Sequence, residues 1–169
     1  IIAAIPDAQT YMADSFGNGG NIMVASSEDT SLRFKHIFGW IKLNLTDDLE
    51  RMVSTITFSG NNSEKLAGSV LIDADTQKVY LSGDNKSALT LDCGDGVQLS
   101  ADVPTSFYIA ILPQTFTDGV TVEVTMTDGT SFKKCHKSSF TITRNHIQPV
   151  KTNNSQPAIC SFVLMIEVI

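Results

Sequence analysis

The most regular alternation of apolar and polar residues lies in the stretch GVTVEVTMTDGTSF. Its apolar members recur at every second position: Val120, Val122, Val124 and Met126. A period of two is typical of a β-strand with one buried face. Asp128 and Gly129 follow at once, and this dipeptide readily adopts the positive φ angles of a tight turn. The stretch predicts a β-hairpin whose return strand carries Phe132.

Three further stretches predict long strands. In FKHIFGWIKLNL one side is fully apolar, with Ile37, Ile41, Leu43 and Leu45, whereas the other side carries His36, Phe38, Trp40, Lys42 and Asn44. In RMVSTITFSGNN the buried positions are predicted to be Met52, Ile56 and Phe58. The segment SFYIAILP is apolar on both faces, which predicts a central strand that ends before Pro113.

Shorter strands occupy the remaining apolar stretches. IIAAIPDAQT reads as a strand that runs into Pro6, and Ile22 to Ala25 as a brief strand after a glycine-rich loop. LAGSVLID and KVYLSG form a predicted hairpin around residues 74–77. ALTLD and VQLS are predicted to be joined by a tight turn at Cys93-Gly94-Asp95-Gly96. FTITRN adds a last alternating pair, Phe140 and Ile142.

The spacing of these strands predicts the fold class. A strand begins roughly every 8–14 residues, with turn residues between strands and no amphipathic pattern of three helical turns. Hydrophobic residues make up 42% of the 169-residue chain, which is enough for a substantial core. We therefore predict an all-β, antiparallel β-sandwich with few or no helices.

The chain closes with SFVLMIEVI, an almost unbroken apolar run. It is too short for a transmembrane helix, which needs about 20 residues, and its Val and Ile favour a strand. Residues 162–169 would span roughly 26 Å as a strand at about 3.3 Å per residue. The predicted partner-binding residues are the apolar members of this strand: Phe162, Val163, Leu164, Met165, Ile166, Val168 and Ile169. The strand can complete its own sheet or that of a second molecule, and the sequence leaves both arrangements open.

The net charge and the lengths of the apolar segments limit the kinds of partner that we expect for this chain. A net charge of −6 and a pI near 4.9 argue against nucleic acid, whose phosphates need clustered Lys and Arg. No segment reaches transmembrane length. Because the first residue is Ile1 rather than Met, we expect a trimmed chain whose signal peptide, or a lipid-anchor Cys, precedes it.

Reactive side chains do not form a recognisable catalytic or metal-binding motif. Paired carboxylates at residues 47–48, 73 and 75, and 92 and 95 sit in predicted turns, where Asp bonds to nearby backbone. His36, His136 and His146 are far apart in sequence, and Cys135 and His136 should point to opposite faces of one strand. We expect no enzyme activity, no metal and no cofactor.

Two further questions stay open at the sequence level. Cys93, Cys135 and Cys160 form no zinc motif; they are expected to be buried apolar residues, although export would permit one disulfide. Trp40 could offer an aromatic platform for sugars, and a half-buried sandwich residue is the favoured alternative.

The order of these segments resembles a known family. The stretches FKHIFGWIKLNL, LDCGDGVQL and SFYIAILP, with the hairpin after them and the stretch Ile142-Thr143-Arg144-Asn145, are similar to fimbrillin-like surface proteins of Bacteroidetes, relatives of the type V pilins. The similarity covers roughly residues 5–150 and involves strand and turn positions.

The resemblance implies transthyretin-like, Greek-key β-sandwiches, export as a lipoprotein to the outer membrane, and assembly by strand donation. It divides the chain into residues 1–31, a remnant of an N-terminal domain, and residues 32–169, the fimbrillin-like domain. The implied function is a structural subunit, or a tip or anchor component, of a fimbria or related surface adhesive assembly. The implied partners are other fimbrial subunits, and a host or bacterial surface ligand. A glycan-binding surface lipoprotein module is the alternative.

Overall fold

The protein forms an all-β structure. The computed structural model describes residues 1–17, 20–28, 30–73, 75–144, 148–150 and 165–168. Its strands are β1 (Ile2–Ile5), β2 (Ala8–Met12), β3 (Ser15–Phe16), β4 (Met23–Val24), β5 (Lys35–His36), β6 (Gly39–Leu45), β7 (Met52–Gly60), β8 (Ala67–Ile72), β9 (Val79–Lys86), β10 (Ala88–Gln98), β11 (Thr105–Ile111), β12 (Gln114–Phe116), β13 (Val120–Met126), β14 (Ser131–His136), β15 (Phe140–Ile142), β16 (Gln148–Val150) and β17 (Met165–Val168). The described residues contain no helix, which confirms the predicted fold class.

These strands form three main sheets. The largest has the order β14-β13-β7-β10-β2-β3, the second β11-β6-β17-β16 and the third β1-β8-β9. Two small pairs, β12-β15 and β4-β5, complete the set. Pairing is antiparallel except between β2 and β10, which run parallel. The arrangement is consistent with a β-sandwich.

One continuous core joins the sheets. It includes Ile56 and Leu91 from the largest sheet, Ile41 from the second and Val70 from the third. Aromatic contacts cross between sheets, and the rings of Tyr11 and Phe107 lie 5.2 Å apart. The N-terminal segment belongs to the same core, because β1 pairs with β8 and β2 with β10.

The predicted hairpins are present. β13 and β14 pair from Val120↔His136 to Thr125↔Ser131, and Gly129 takes a φ of 86° in the turn. Asp128 Oδ1 accepts hydrogen bonds from the backbone N–H of Thr130, at 2.8 Å, and from its hydroxyl. β8 and β9 form the second hairpin. Local turn chemistry was therefore a sound guide at both positions.

The predicted tight turn at Cys93 to Gly96 is wrong. These residues lie inside the single strand β10, where they form an irregularity between the pairs Asp92↔Thr55 and Val97↔Val53. Gly94 and Gly96 do take positive φ angles, of 59° and 114°. Both a turn and a bulge need such angles, so the glycine signal did not distinguish them.

The predicted central position of SFYIAILP is also wrong among the described residues. β11 lies at the end of its sheet and pairs there with β6. Its apolar side chains are nonetheless buried, including Phe107, Ile109 and Ile111. An apolar pattern reports covered faces, whereas the number of paired edges depends on the neighbouring strands.

A bulge changes the predicted burial at the start of β7. Ile56 and Phe58 are buried as predicted, but Val53 is buried in place of the half-buried Met52. The β13 partners shift here from Thr125↔Thr55 to Met126↔Val53. The extra residue reverses which positions face the core.

Candidate functional site

The strand β6 is paired along both of its edges. One edge pairs with β11, from Thr105↔Leu45 to Ile111↔Gly39. The other edge pairs with β17, where Met165 lies opposite Asn44 and Val168 opposite Ile41. The segment that the sequence singled out for strand pairing thus reaches the middle of the second sheet.

The predicted partner-binding residues are described only in part. Met165, Ile166 and Val168 belong to β17, between β6 and β16. Phe162, Val163, Leu164 and Ile169 lie outside the described residues, as do Cys160 and His146.

Both faces of β6 are covered. On the core side, Ile41, Leu43 and Leu45 are fully buried. On the opposite side, Ser106 donates a hydrogen bond to Asn44 Oδ1 at 2.8 Å, and Lys42 Nζ lies 5.9 Å from the centre of the Tyr108 ring. These are cross-strand partners, which stabilise an antiparallel pair.

Trp40 is more deeply buried than the favoured half-buried alternative. It is 6% exposed and is packed between Phe16 and His36, with ring centroids 4.9 Å and 4.7 Å away. Burial lowers the pKa of His36, and the positive charge of Arg144 lowers it further. The indole is therefore part of an internal aromatic cluster and offers no surface platform for a sugar.

A side chain caps the outer edge of β11 at Ala110. Gln9, only 5% exposed, donates from Nε2 to the Ala110 carbonyl at 2.8 Å and accepts from the Ala110 N–H at 2.9 Å. The side-chain amide therefore makes the same two hydrogen bonds to Ala110 that the backbone of a neighbouring strand would make. Sequence reasoning missed Gln9, because a lone glutamine in an alternating strand carries no signal of its distant partner.

An open cleft lies between β9 and the connection from β11 to β12. Its volume is about 410 Å³, and its lining is mostly apolar: Ile37, Val79, Leu81, Leu112 and Pro113, with Tyr80 at 52% exposure. A second cleft of about 270 Å³ is lined by Ser26, Ser27, Ser31, Arg33, Lys35 and Gln77. Gln77 lines both clefts, so they adjoin.

Arg144 connects the elements around these clefts. Its guanidinium donates to the carbonyls of His36, Gln77 and Lys35, with the last two bonds at 2.8 Å and 3.2 Å. Gln77 has a φ of 55°, in the left-handed region. The arginine thereby fixes the turn before β9 against β5.

Two of the carboxylates predicted to bond to nearby backbone do so, Asp73 in a turn and Asp92 at the irregularity within β10. Asp73 Oδ1 accepts from the N–H groups of Asp75 and Thr76, and Asp92 Oδ1 from that of Gly94. The hydrogen bonds to Thr76 hold the pKa of Asp73 below its usual value. Their oxygens are engaged by local backbone.

Asp47 makes a stronger contact than the turn hypothesis anticipated. It is 4% exposed and forms a two-pronged ion pair with Arg51, at 2.8 Å to Nε and 2.7 Å to the second nitrogen. Hydrogen bonding to the Arg51 side chain lowers the pKa of Asp47. The guanidinium of Arg51 also lies 4.6 Å from the centre of the Phe132 ring. The pair fixes the connection from β6 to β7.

The cysteines differ in environment. Cys93 is a free, buried thiol, and burial raises its pKa to about 12. Cys135 is free and exposed, so the expectation of buried cysteines is wrong for this residue. Exposure alternates along β14, as expected if Cys135 and its half-buried neighbour His136 point to opposite faces. Within the described ranges, no group of three His, Cys, Asp or Glu residues could hold a metal ion.

The described part of the chain has no helix with the length and apolar character needed to span a bilayer. No protein-family model, curated protein or solved structure matches this chain.

Proposed function

We propose that the protein is a non-enzymatic structural subunit, or a tip or anchor component, of a bacterial fimbria or related surface adhesive assembly. Its subunits are joined by β-strand addition, and the exchanged strand is the one that contains Met165–Val168. The proposal includes export to the outer membrane and other fimbrial subunits as partners. The observation that carries it is the position of β17 on the second edge of β6.

The burial of β6 explains why this edge must be filled. Six of its seven residues are buried with β17 in place, so loss of that strand would uncover apolar side chains and leave backbone N–H and C=O groups of this edge unpaired. An unsatisfied buried backbone group costs about 1–3 kcal/mol. A strand on this edge is therefore needed for a stable sheet.

The bonds between β6 and β17 are main-chain ladder bonds. A strand of the same sequence from a neighbouring molecule would make the same ladder in the same register. Ile41 and its partner Val168 are more than a hundred residues apart, so a long connection joins this strand to β6. Exchange between copies then replaces one set of contacts with an equivalent set.

Cross-strand cysteines test this exchange directly. Lys42 and Glu167 are register partners, and opposite residues of an antiparallel pair have Cα separations of about 4.5–5.5 Å, which suits a disulfide. Lys42→Cys and Glu167→Cys versions of the 169-residue chain, of different mass and each also carrying Cys93→Ala, Cys135→Ser and Cys160→Ser, are unfolded together and refolded. We expect a mixed disulfide between the two chains, measured by mass spectrometry, and ladders or filaments in electron microscopy of the wild-type protein after limited trypsin treatment.

The matched control replaces Lys42→Cys with Lys133→Cys. Lys133 lies on β14, in a different sheet, and is exposed. This mixture should yield no mixed disulfide above background. If the Lys42 and Glu167 chains behave like the control while a chain carrying both cysteines closes on itself, the strand is retained in its own molecule and the proposal fails.

A further inference from the structure

The two adjoining clefts at Gln77 have complementary chemical characters. The larger one is walled by apolar side chains, including Ile37, Leu112 and Pro113, and opens past the exposed ring of Tyr80. The smaller one is polar, with three serines beside Arg33 and Lys35. Together they form an elongated site with an apolar end and a polar end.

The charged side chains that line the two clefts are all cations, although the carboxylate of Asp73 lies close enough to Lys78 for its pKa to be lowered by that charge. The described residues that line the two clefts include Arg33, Lys35, Lys78 and Arg144, and none of them is Asp or Glu. The chain as a whole carries a net charge of −6. The positive charge of the cleft lining is therefore a local exception on an acidic protein. It favours binding of an anion at the polar end.

Two cations, Arg33 and Lys35, lie at the polar end, and the exposed Lys78 lines the larger cleft. The guanidinium of Arg144 donates hydrogen bonds to three backbone carbonyls, so its positive charge is held in a fixed position in the site. Arg33 and Lys35 are exposed, and no ion pair of either is found among the described residues. Their charged groups can turn toward an anion without breaking a structural contact.

We propose that these clefts bind an amphipathic carboxylate, that is, a single acidic group on an acyl or aryl body. The carboxylate lies against Arg33 and Lys35, and the apolar body fills the cleft beside Val79 and Leu81. A volume of about 410 Å³ falls in the usual range for small-molecule sites and suits a body of roughly ten carbons. This inference is independent of strand exchange, because it uses none of the residues that pair β6 with β17.

Calorimetry with decanoate tests the proposal on the 169-residue chain. The comparison probes are decyltrimethylammonium, which has the same apolar body and the opposite charge, and acetate, which has the charge without the body. All are used below the concentration at which micelles form. We expect one decanoate per chain, weakening as salt is raised, with no saturable binding of either comparison probe.

Substitutions locate the binding. The double variant Arg33→Gln/Lys35→Gln should weaken decanoate about tenfold or more, the effect of losing one charge-assisted hydrogen bond. Tyr80→Ala, at an exposed side chain, should weaken it by a smaller factor. The control Lys133→Gln/Lys137→Gln removes the same charge from exposed positions outside both clefts and should leave binding unchanged.

Three results would overturn the proposal. Equal binding of decanoate and decyltrimethylammonium would indicate a merely apolar surface. Absence of decanoate binding at millimolar concentration would exclude this ligand class. Binding that the Arg33→Gln/Lys35→Gln chain retains in full would place the anion elsewhere.

Discussion

The strand β6 is almost entirely buried, whereas the strand β9 is largely exposed or half-buried. β6 is paired on both edges and covered on both faces, whereas β9 ends its sheet and keeps Tyr80 and neighbouring residues exposed. The closed strand supports the architecture and defines the proposed exchange site. The open strand borders the cleft. The comparison thus assigns the structural role to the fully packed strand β6 and the proposed ligand-binding role to the exposed strand β9.

The largest expected difference between the two strands is in the cost of truncating a leucine. Leu43→Ala on β6 removes a fully buried side chain and should lower the free energy of unfolding by about 2–5 kcal/mol. Leu81→Ala on β9 removes a half-buried side chain and should cost less than half as much. Urea unfolding of both variants measures this, and equal losses would contradict the distinction between closed and open strands.

Gln9 tests whether a side chain can replace a strand at an edge. Gln9→Leu should cost about 1–3 kcal/mol, because it leaves the buried N–H and C=O of Ala110 without their partners. Gln114→Leu is the control, since that amide makes a single, exposed bond to the Lys65 carbonyl. Thermal unfolding should show a clearly larger decrease in melting temperature for Gln9→Leu than for Gln114→Leu. Similar decreases would mean that the β11 edge does not depend on the Gln9 amide.

Two glycines allow the strands to be compared with the same substitution. A Cβ at Gly39 would collide with Ile142 Cγ2 and lie 2.9 Å from the Thr143 carbonyl, so Gly39→Ala should cost about 1–3 kcal/mol through crowding. Gly83 has a φ of 79° and open space, so Gly83→Ala should cost only about 1 kcal/mol through backbone strain. Asn at position 83 should recover part of that loss, whereas Asn at position 39 should be worse than Ala.

The smallest expected effect concerns the ion pair at the end of β6. Asp47→Asn should cost about 1 kcal/mol at pH 7, because the Arg51 side chain is 19% exposed and the asparagine amide oxygen can still accept one of its hydrogen bonds. The lowered pKa of Asp47 means that its stabilisation is complete above the unfolded value, near 3.9, and is lost as the pH falls through the folded value.

Unfolding measured from pH 7 to pH 2.5 should therefore show wild type and Asp47→Asn converging in acid. Asp95→Asn, at an exposed carboxylate, serves as the control and should follow wild type throughout. A gap between wild type and Asp47→Asn that does not narrow at all as the pH falls below the unfolded value would show that the loss is not due to the ion pair.

The sequence was a good guide to local structure. The alternation from Val120 to Met126 and the turn at Asp128-Gly129 predicted the hairpin, since both signals arise within a few neighbouring residues. It was a poor guide at Cys93 to Gly96, where glycine marked positive φ without telling a bulge from a turn. It also placed β11 in the centre of a sheet, because burial of both faces usually accompanies pairing of both edges.

For the candidate sites too, the sequence predicted local structure but not the contacts between distant segments. The apolar composition of SFVLMIEVI predicted a strand, and Met165–Val168 form one. The partner of that strand could not be predicted, because β6 lies more than a hundred residues earlier and several apolar strands would have served equally well. The clefts at Gln77 had no sequence signal, since their walls come from separate segments that Arg144 holds together.

The sequence by itself determined the all-β class, the position of most strands and the turns that carry Asp and Gly. These features depend on backbone preference and on alternation between adjacent residues, which the chain carries locally. Only the tertiary structure decided which strands are neighbours, that Gln9 caps the β11 edge at Ala110, and that cations of separate segments line two adjoining clefts. Those outcomes depend on contacts between distant segments, whose energies are set by how all the strands pack at once.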